Sequence, residues 1–475
     1  MSKDRVVSTG SRIKEEDRIK EQGQRVKEID TGLRIKGKTR KMKDSGVEWI
    51  GEIPEDWVVQ NLKSILAERK ENNNPIKTDF ILSLTNDRGV IPYTEKGDIG
   101  NKSKDDLTGY KLAYPNDIVL NSMNVIIGSV GLSEYFGAVS PVYYMLYPRK
   151  EEDAVEFFNY VFQTKVFQES LKGYGNGIME HRLRIPMINL NTVMLPYPTA
   201  KEQQKIVNFL DGKVSLIDDT IEKTKQSIED YKKYKQALIT ETVTKGLNPD
   251  VEMKDSGVEW IGEIPKHWKV SRLKYLFNFT NGLTITKSEL KEEGIDCINY
   301  GDIHSKYILD LDLSKDNLPK VDDSFKLQRP NSIVKNGDFV FCDTSEDLAG
   351  SGNFVFIRND NGKDIFAGSH TVVAKPKKEF NSIYLGYLLK SKGIKSQIEQ
   401  RVTGIKVYSI TQGILKDVKV FIPSKEEQQQ IAEFLDSKCA EINKLVTQKE
   451  KLIKDLEIYK KSLIYEYVTG KKRVV

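Results

Sequence analysis

The chain has 475 residues, enough for two or three domains, and its net charge of +5 is too small for a polycation. Any nucleic-acid surface must therefore be local, with acidic faces elsewhere. Three scattered cysteines, Cys297, Cys342 and Cys439, exclude a disulfide framework, and no apolar run reaches the roughly 18 residues that span a bilayer.

Residues 1–41 lack aromatics and are dense in Lys, Arg and Glu. Such a segment buries too little apolar surface to offset its ordering entropy. It reads as a mobile or loosely helical extension, or as a basic arm that touches DNA phosphates. The charged N-terminus is not a signal peptide, so a cytoplasmic protein without membrane contact is expected.

The segment MKDSGVEWIGEIP then runs from Met42 to Pro54 and recurs from Met253 to Pro265. All four tryptophans, Trp49, Trp57, Trp260 and Trp268, lie in or just after these copies. They read as structural repeat anchors, packed in the core of a joint that each half needs. A second matched pair, PTAKEQQKIVNFLD from Pro198 and PSKEEQQQIAEFLD from Pro423, closes each half. The chain is a tandem repeat, and a repeat decides the architecture before anything else does.

Between the matched ends lie two dissimilar middles. In the first, Phe80–Leu82, Asp117–Leu120, Val125–Ile127 and Val142–Met145 are expected strands, punctuated by Gly, Pro and Asn. Apolar spacing over residues 152–171 predicts an amphipathic helix. A loop with GYGNG, His181, Arg182 and Arg184 follows. The second middle repeats the plan, with strands at Phe339–Phe341, Phe354–Ile357 and Thr371–Val373, a helix over 382–400, and a loop holding Arg401, Gly404 and Lys406. Asp117 before one strand matches Asp338 before another.

Each half ends in a long helix, over 199–246 and 424–470. Thr199 and Glu202 after Pro198 predict a capping box. Val207, Val214, Ile221 and Ile228 fall seven apart, as do Leu210, Ile217 and Leu238 with Thr224 and Tyr231 between. The second helix has Cys439, Val446 and Ile453 in one row after Ala432, and Leu435, Ile442, Leu456 and Leu463 in the other. Two rows at this spacing form a coiled-coil seam. A chain that returns on itself makes the two helices antiparallel and relates the halves by a pseudo-twofold axis. The expected class is α+β, with two mixed α/β modules separated by these helices.

Catalytic motifs are not found. GYGNG follows a helix, whereas a nucleotide or S-adenosylmethionine loop follows a strand. PDVEMK imitates a nuclease signature, but its acids sit in one short link. No Walker lysine loop appears, and the four histidines form no metal-ligand pair with a cysteine. No catalytic residue and no metal site is expected.

The paired GVEWIGEIP motifs, two variable middles and two E-Q-Q-x-I…F-L-D helices resemble the specificity subunit of type I restriction-modification systems, over about residues 42–470. The resemblance implies a charged extension (1–41), target recognition domain 1 (42–197), a spacer helix (198–250), target recognition domain 2 (251–422) and a second spacer (423–475). It implies a non-catalytic reader of double-stranded DNA, its two domains reading unlike halves of a bipartite target. The helices would set the gap and dock two methyltransferase subunits. Cofactors would then sit on partners: S-adenosylmethionine on the methyltransferase, ATP and Mg on a motor-nuclease subunit. Loops beyond the shared landmarks supply the expected DNA contacts: Asn121, Ser122, Asn124, Lys172, Tyr174, Asn176, Arg182 and Arg184 in the first domain, Thr344, Ser345, Arg401, Lys406 and Tyr408 in the second. The rival class is a coiled-coil scaffold with two protein-binding modules.

Overall fold

A computed structural model of the protein describes residues 40–86, 88–97, 106–175, 183–259, 261–306, 309–313, 316–358, 362–404 and 406–474. The chain forms two compact units: residues 1–221 with 454–475, and residues 222–453. The division falls inside the long helices, so each unit holds one module and a half of each helix.

In the first unit, Met42–Asp44 pairs with Glu52–Pro54 as a hairpin. Val58–Asn61 then pairs with Met194–Tyr197, so the module's first and last strands lie side by side. The centre is an antiparallel four-stranded sheet in the order Leu66–Arg69, Tyr143–Pro148, Ile118–Asn121, Val130–Leu132. The strand Ile118–Asn121 begins with three buried side chains, as a strand covered on both faces requires. Asp117 sets its start: the carboxylate accepts from Tyr114 N at 2.9 Å and from Arg69 Nε at 2.8 Å. Asn116, just before it, adopts φ 68°.

The second unit repeats this frame and enlarges it. Phe277–Asn281, Thr371–Pro376, Phe339–Cys342 and Phe354–Arg358 follow the same order, and Asp310–Asp312 adds a fifth, parallel strand. Lys335 N donates to Asp338 Oδ2 at 2.9 Å, so Asp338 caps the turn as Asp117 does. Gly337 supplies the positive φ there, 86°. A separate four-stranded sheet, with Ile295–Ile298 and Ile365–Ala367 at its centre, enlarges what in the first unit is the two-stranded pairing of Lys111–Ala113 with Gly137–Val139 and a parallel bridge from Ala138 to Ile81.

Several expected elements differ. Val125–Ile127 is a 3-10 turn, because Val125 and Ile126 are drawn into the core while Ile127 stays exposed. Strand formation near Phe80 begins only at Leu82. The helix over 152–171 is two helices, Val155–Gln163 and Lys165–Ser170, and that over 382–400 is also two, Ser382–Lys390 and Lys392–Glu399. The breaks fall at extended Thr164 and Ser391, whose hydroxyls donate to Val161 O at 2.8 Å and Leu388 O at 2.6 Å. These hydroxyls take carbonyls that a continuing helix would leave to backbone N–H groups.

The long helices are Ala200–Lys245 and Lys425–Val468. In the first unit, Asp218 meets Lys460 at 2.7 Å and Phe209 meets Tyr467 with ring centres 4.5 Å apart. In the second, Lys235 Nζ donates to Asn443 Oδ1 at 2.9 Å, and Lys449 lies over the Tyr231 ring. Within each unit the two helix segments therefore run in opposite directions. Of the expected seam in the first unit, Val207, Leu210, Ile217, Ile221, Leu456 and Leu463 are buried and Val214 half-buried. In the second, Ile228, Leu435, Cys439 and Ile442 are buried, while Leu238, Val446 and Ile453 are half-buried.

The repeated tryptophans lock helix ends to modules. Trp57 and Trp268 are each 1% exposed. Trp57 Nε1 donates to Glu202 Oε2 at 2.9 Å, and Trp268 Nε1 to Glu427 Oε1 at 3.3 Å. Each indole also touches the glycine that ends the other helix of its unit, Gly470 for Trp57 and Gly246 for Trp268. Both glycines have positive φ, 71° and 76°. At the start of the second long helix Ser424 and Glu427 make a full capping box, each residue's backbone N–H donating to the other's side chain. At Thr199–Glu202, where the box is expected, Glu202 N donates to Thr199 Oγ1 at 3.4 Å, while the Glu202 carboxylate accepts from Trp57 and from Arg40 at 2.6 Å. Trp49 is buried edge-on to Phe167 at 5.0 Å, and Trp260 lies outside the described residues.

Candidate nucleic-acid interface

Two loops meet at the same end of the central sheet in each unit. One leaves the strand that Asp117 or Asp338 begins, and the other leads back towards the last strand. In the first unit Ile185 N donates to Ser122 O at 2.9 Å. In the second Ile410 N donates to Asp343 O at 2.8 Å, and Thr344 and Ser345 pair with Ser409 and Tyr408. The loops chosen from sequence are thus neighbours in both units.

Their side chains divide sharply. Ser122 is fully buried, and its hydroxyl donates to Val142 O at 3.0 Å. Ser345 is also fully buried, with its hydroxyl on Asp347 O. Both hydroxyls are spent inside the fold, so neither is carried forward as a base contact. Asn121 accepts from Met123 N at 3.0 Å and shapes the turn. Asn124 and Tyr174 are half-buried, as are Thr344 and Tyr408. Lys172, Arg184, Arg401 and Lys406 are exposed. Asn176 and Arg182 lie outside the described residues.

Arg184 has basic company that sequence reading missed. Lys111 Nζ donates to Tyr143 O at 2.8 Å and lies over the Tyr144 ring. Burial, chiefly, and the nearby Arg184 and Lys70 charges hold the Lys111 amine below the usual lysine range, against an opposing pull from Glu68. Lys111, Arg184 and Lys70 thus lie within electrostatic reach of one another, with Lys70 also 3.7 Å from Glu68. Lys111 sits far from Arg184 in sequence, so only strand pairing brings it to the loop.

The second unit also holds an unforeseen pair. Asp343 Oδ1 is buried without a hydrogen-bond partner, and His370 Nδ1 lies 3.4 Å from it. His370 adopts φ 59°, rare for a residue with a side chain. A signal for Asp343 existed: counted from Asp117 and Asp338, Ser122 and Asp343 are the same position.

Among the described residues no group of His, Cys, Asp and Glu could hold a metal ion, and no helix is long and apolar enough to cross a membrane. All three cysteines are buried, and burial pushes the thiols of Cys297 and Cys342 up to about 12.

The model of the type I restriction modification DNA specificity domain matches residues 54–230 and again 265–455, once for each repeat. The chain belongs to that family. The type I restriction enzyme MjaVIII specificity subunit of Methanocaldococcus jannaschii is 24% identical over 434 residues, covering 89% of this chain and 94% of its own. The putative MjaX specificity subunit of the same organism is 26% identical over 462 residues, covering 90% and 96%. The fold is shared with a chain described under "complex assembly and conformational transition of the type I R-M system", at a TM-score of 0.67 and 12% identity, covering 88% of this chain and 98% of that one. It is also shared with the HsdS subunit from Thermoanaerobacter tengcongensis, at a TM-score of 0.52, 13% identity and the same coverage.

Proposed function

We propose that this chain reads a bipartite DNA target through its two modules and leaves catalysis to partner subunits. The observation that carries this reading is a shared frame with unlike tips. Both modules hang on the same Trp–Glu joint, and both bring two loops together at the sheet end, yet the exposed residues of those loops differ. A common scaffold with different tips suits two different half-sites.

In this reading exposed Lys and Arg grip phosphates while polar loop side chains read base edges. Arg184, Lys172 and Asn124 serve the first half-site, and Thr344, Arg401, Lys406 and Tyr408 the second. The antiparallel helices form a coiled-coil spacer, set the gap and dock two methyltransferase subunits. Those partners carry S-adenosylmethionine and flip the target adenine. A motor-nuclease subunit supplies ATP- and Mg-dependent cleavage. The family match across both repeats favours this over a protein-binding scaffold.

Mapping methylated adenines in cells that carry this chain with its methyltransferase tests the reading. A target of two short, unlike sequences separated by a fixed gap supports it. One continuous target, or methylation indifferent to this chain, contradicts it.

A further inference from the structure

Ser122 and Asp343 occupy one structural position, and their contrast is informative. Each follows the last residue of the central strand, Asn121 or Cys342. Each offers its carbonyl to an isoleucine of the returning loop, Ile185 or Ile410. Each lies against the neighbouring strand's lead-in, Ser122 through its hydroxyl on Val142 O, Asp343 through its N–H on His370 O at 3.1 Å. Serine fills this position with a side chain whose bonding is complete. Aspartate fills it with a carboxylate that the fold leaves unfinished.

The strain beside it points the same way. His370 holds a left-handed backbone, which costs a residue with a Cβ about 1–2 kcal/mol. Such conformations persist where the surroundings impose them, and they cluster at binding sites. His370 is largely exposed, its side chain at 66%, so core packing does not account for its placement. The effect is to set its imidazole beside Asp343. Asp343 Oδ1 is turned inward toward His370, while the side chain as a whole is 36% exposed at the meeting point of three loops, so it is the outward part of the carboxylate that is placed to take a donor from outside.

We propose that Asp343 reads an exocyclic amino group, cytosine N4 or adenine N6, in the half of the target bound by the second module, and that His370 positions the carboxylate for it. The inference rests on the DNA-reading function proposed above. An ionised carboxylate has acceptors only, so it selects bases that present an amino donor in the major groove. It repels the carbonyl edges of guanine O6 and thymine O4 at the same place. Asp343 joins Thr344, the half-buried next residue, as a reader at this tip in place of the buried Ser345.

The test uses the chain assembled with its methyltransferase subunits. In cells carrying Asp343→Ala, mapped methylation should keep the first module's half-site intact. One position of the other half-site should relax from a single amino-bearing base to several bases. An unchanged target overturns the assignment, and so does loss of methylation by a D343A complex that still assembles. If D343A does not fold, wild-type protein decides: duplexes with purine for adenine, or 2-pyrimidinone for cytosine, should bind about tenfold or more weakly at one position of that half-site. Full binding to every such duplex overturns the assignment. His370→Gly adopts the same backbone without strain, and it should lose selectivity at the position that D343A relaxes and nowhere else. Failure of the underlying function looks different: wild-type protein then shows no bipartite target at all.

Discussion

The indole of Trp57 and the carboxylate of Glu202 meet at 2.9 Å across 145 positions of sequence, and Trp268 and Glu427 repeat the contact. The repeated tryptophan motif is therefore half of a lock, and the repeated E-Q-Q helix start is the other half. Gln203 and Gln428 complete it. Gln203 accepts from Ala154 N and Gln428 from Asn381 N, and each donates to the proline carbonyl before its helix at 3.1 Å.

Replacing Trp57 by Phe keeps much of the apolar volume but leaves Glu202 one donor short. Hydrogen bonds to charged groups contribute about 1.5–3 kcal/mol, so W57F should lower stability by that order. Denaturant unfolding measures it. No change in midpoint would show that Arg40 alone satisfies Glu202.

Gly246 and Gly470 end the helices at positive φ with an indole against them. Alanine there carries a left-handed penalty of about 1–2 kcal/mol, and its methyl presses on the Trp268 ring at Gly246 and on Pro54 ahead of Trp57 at Gly470. G246A and G470A should each destabilise by at least this, read as a fall in thermal midpoint. Glycine to alanine at Gly212, inside the first helix with open space around it, should instead be neutral or stabilising by up to about 1 kcal/mol.

Much of this frame was legible before any coordinates. Tandem motifs, helix lengths and seam rows follow from identity and periodicity, which survive as long as the backbone does. The helix breaks at Thr164 and Ser391 were hidden, because both residues are compatible with a helix until a side-chain hydroxyl takes the carbonyl. Ser122 and Ser345 looked like readers because loop position suggests exposure, yet the strand pairing that buries them is long-range. Lys111 joins Arg184 only through that pairing. Residues 1–39 lie outside the described residues, but Arg40 binds Asp56 and Glu202, so the end of the charged extension is part of the joint.

Lys390 is half-buried over the Phe354 ring at 4.9 Å, and its amine falls to about 8, through desolvation first and the Lys395 charge second. A lysine depressed in the folded state opposes folding while it is charged. That cost is fully present below about 8 and is relieved as pH rises towards the unfolded value, near 10.5. K390M should therefore gain roughly 1–3 kcal/mol over wild type at pH 7, and the difference should shrink by pH 9.5. Denaturant titrations of both proteins at the two pH values check it. A constant difference would assign the gain to packing.

Arg184 and Lys111 should contribute to DNA binding in distinguishable ways. Lys111→Met should weaken binding of the assembled complex to all sequences alike and reduce the slope of log K against log salt by about 1. Arg184→Ala should cost about 1–3 kcal/mol if it contacts a base, and relax only the first half-site. Equal loss from both, with equal slopes, would assign Arg184 to phosphate.

The central claim is that the paired helices measure the gap between two separately read sequences. Inserting seven residues into each helix, in register with the seam, adds about 10 Å of helix, the length of roughly three base pairs. Methylated adenines mapped in cells carrying this variant and its methyltransferase should show both half-sites unchanged and the gap lengthened by about three. Methylation at the original gap, or a target with altered half-sites, would contradict the account.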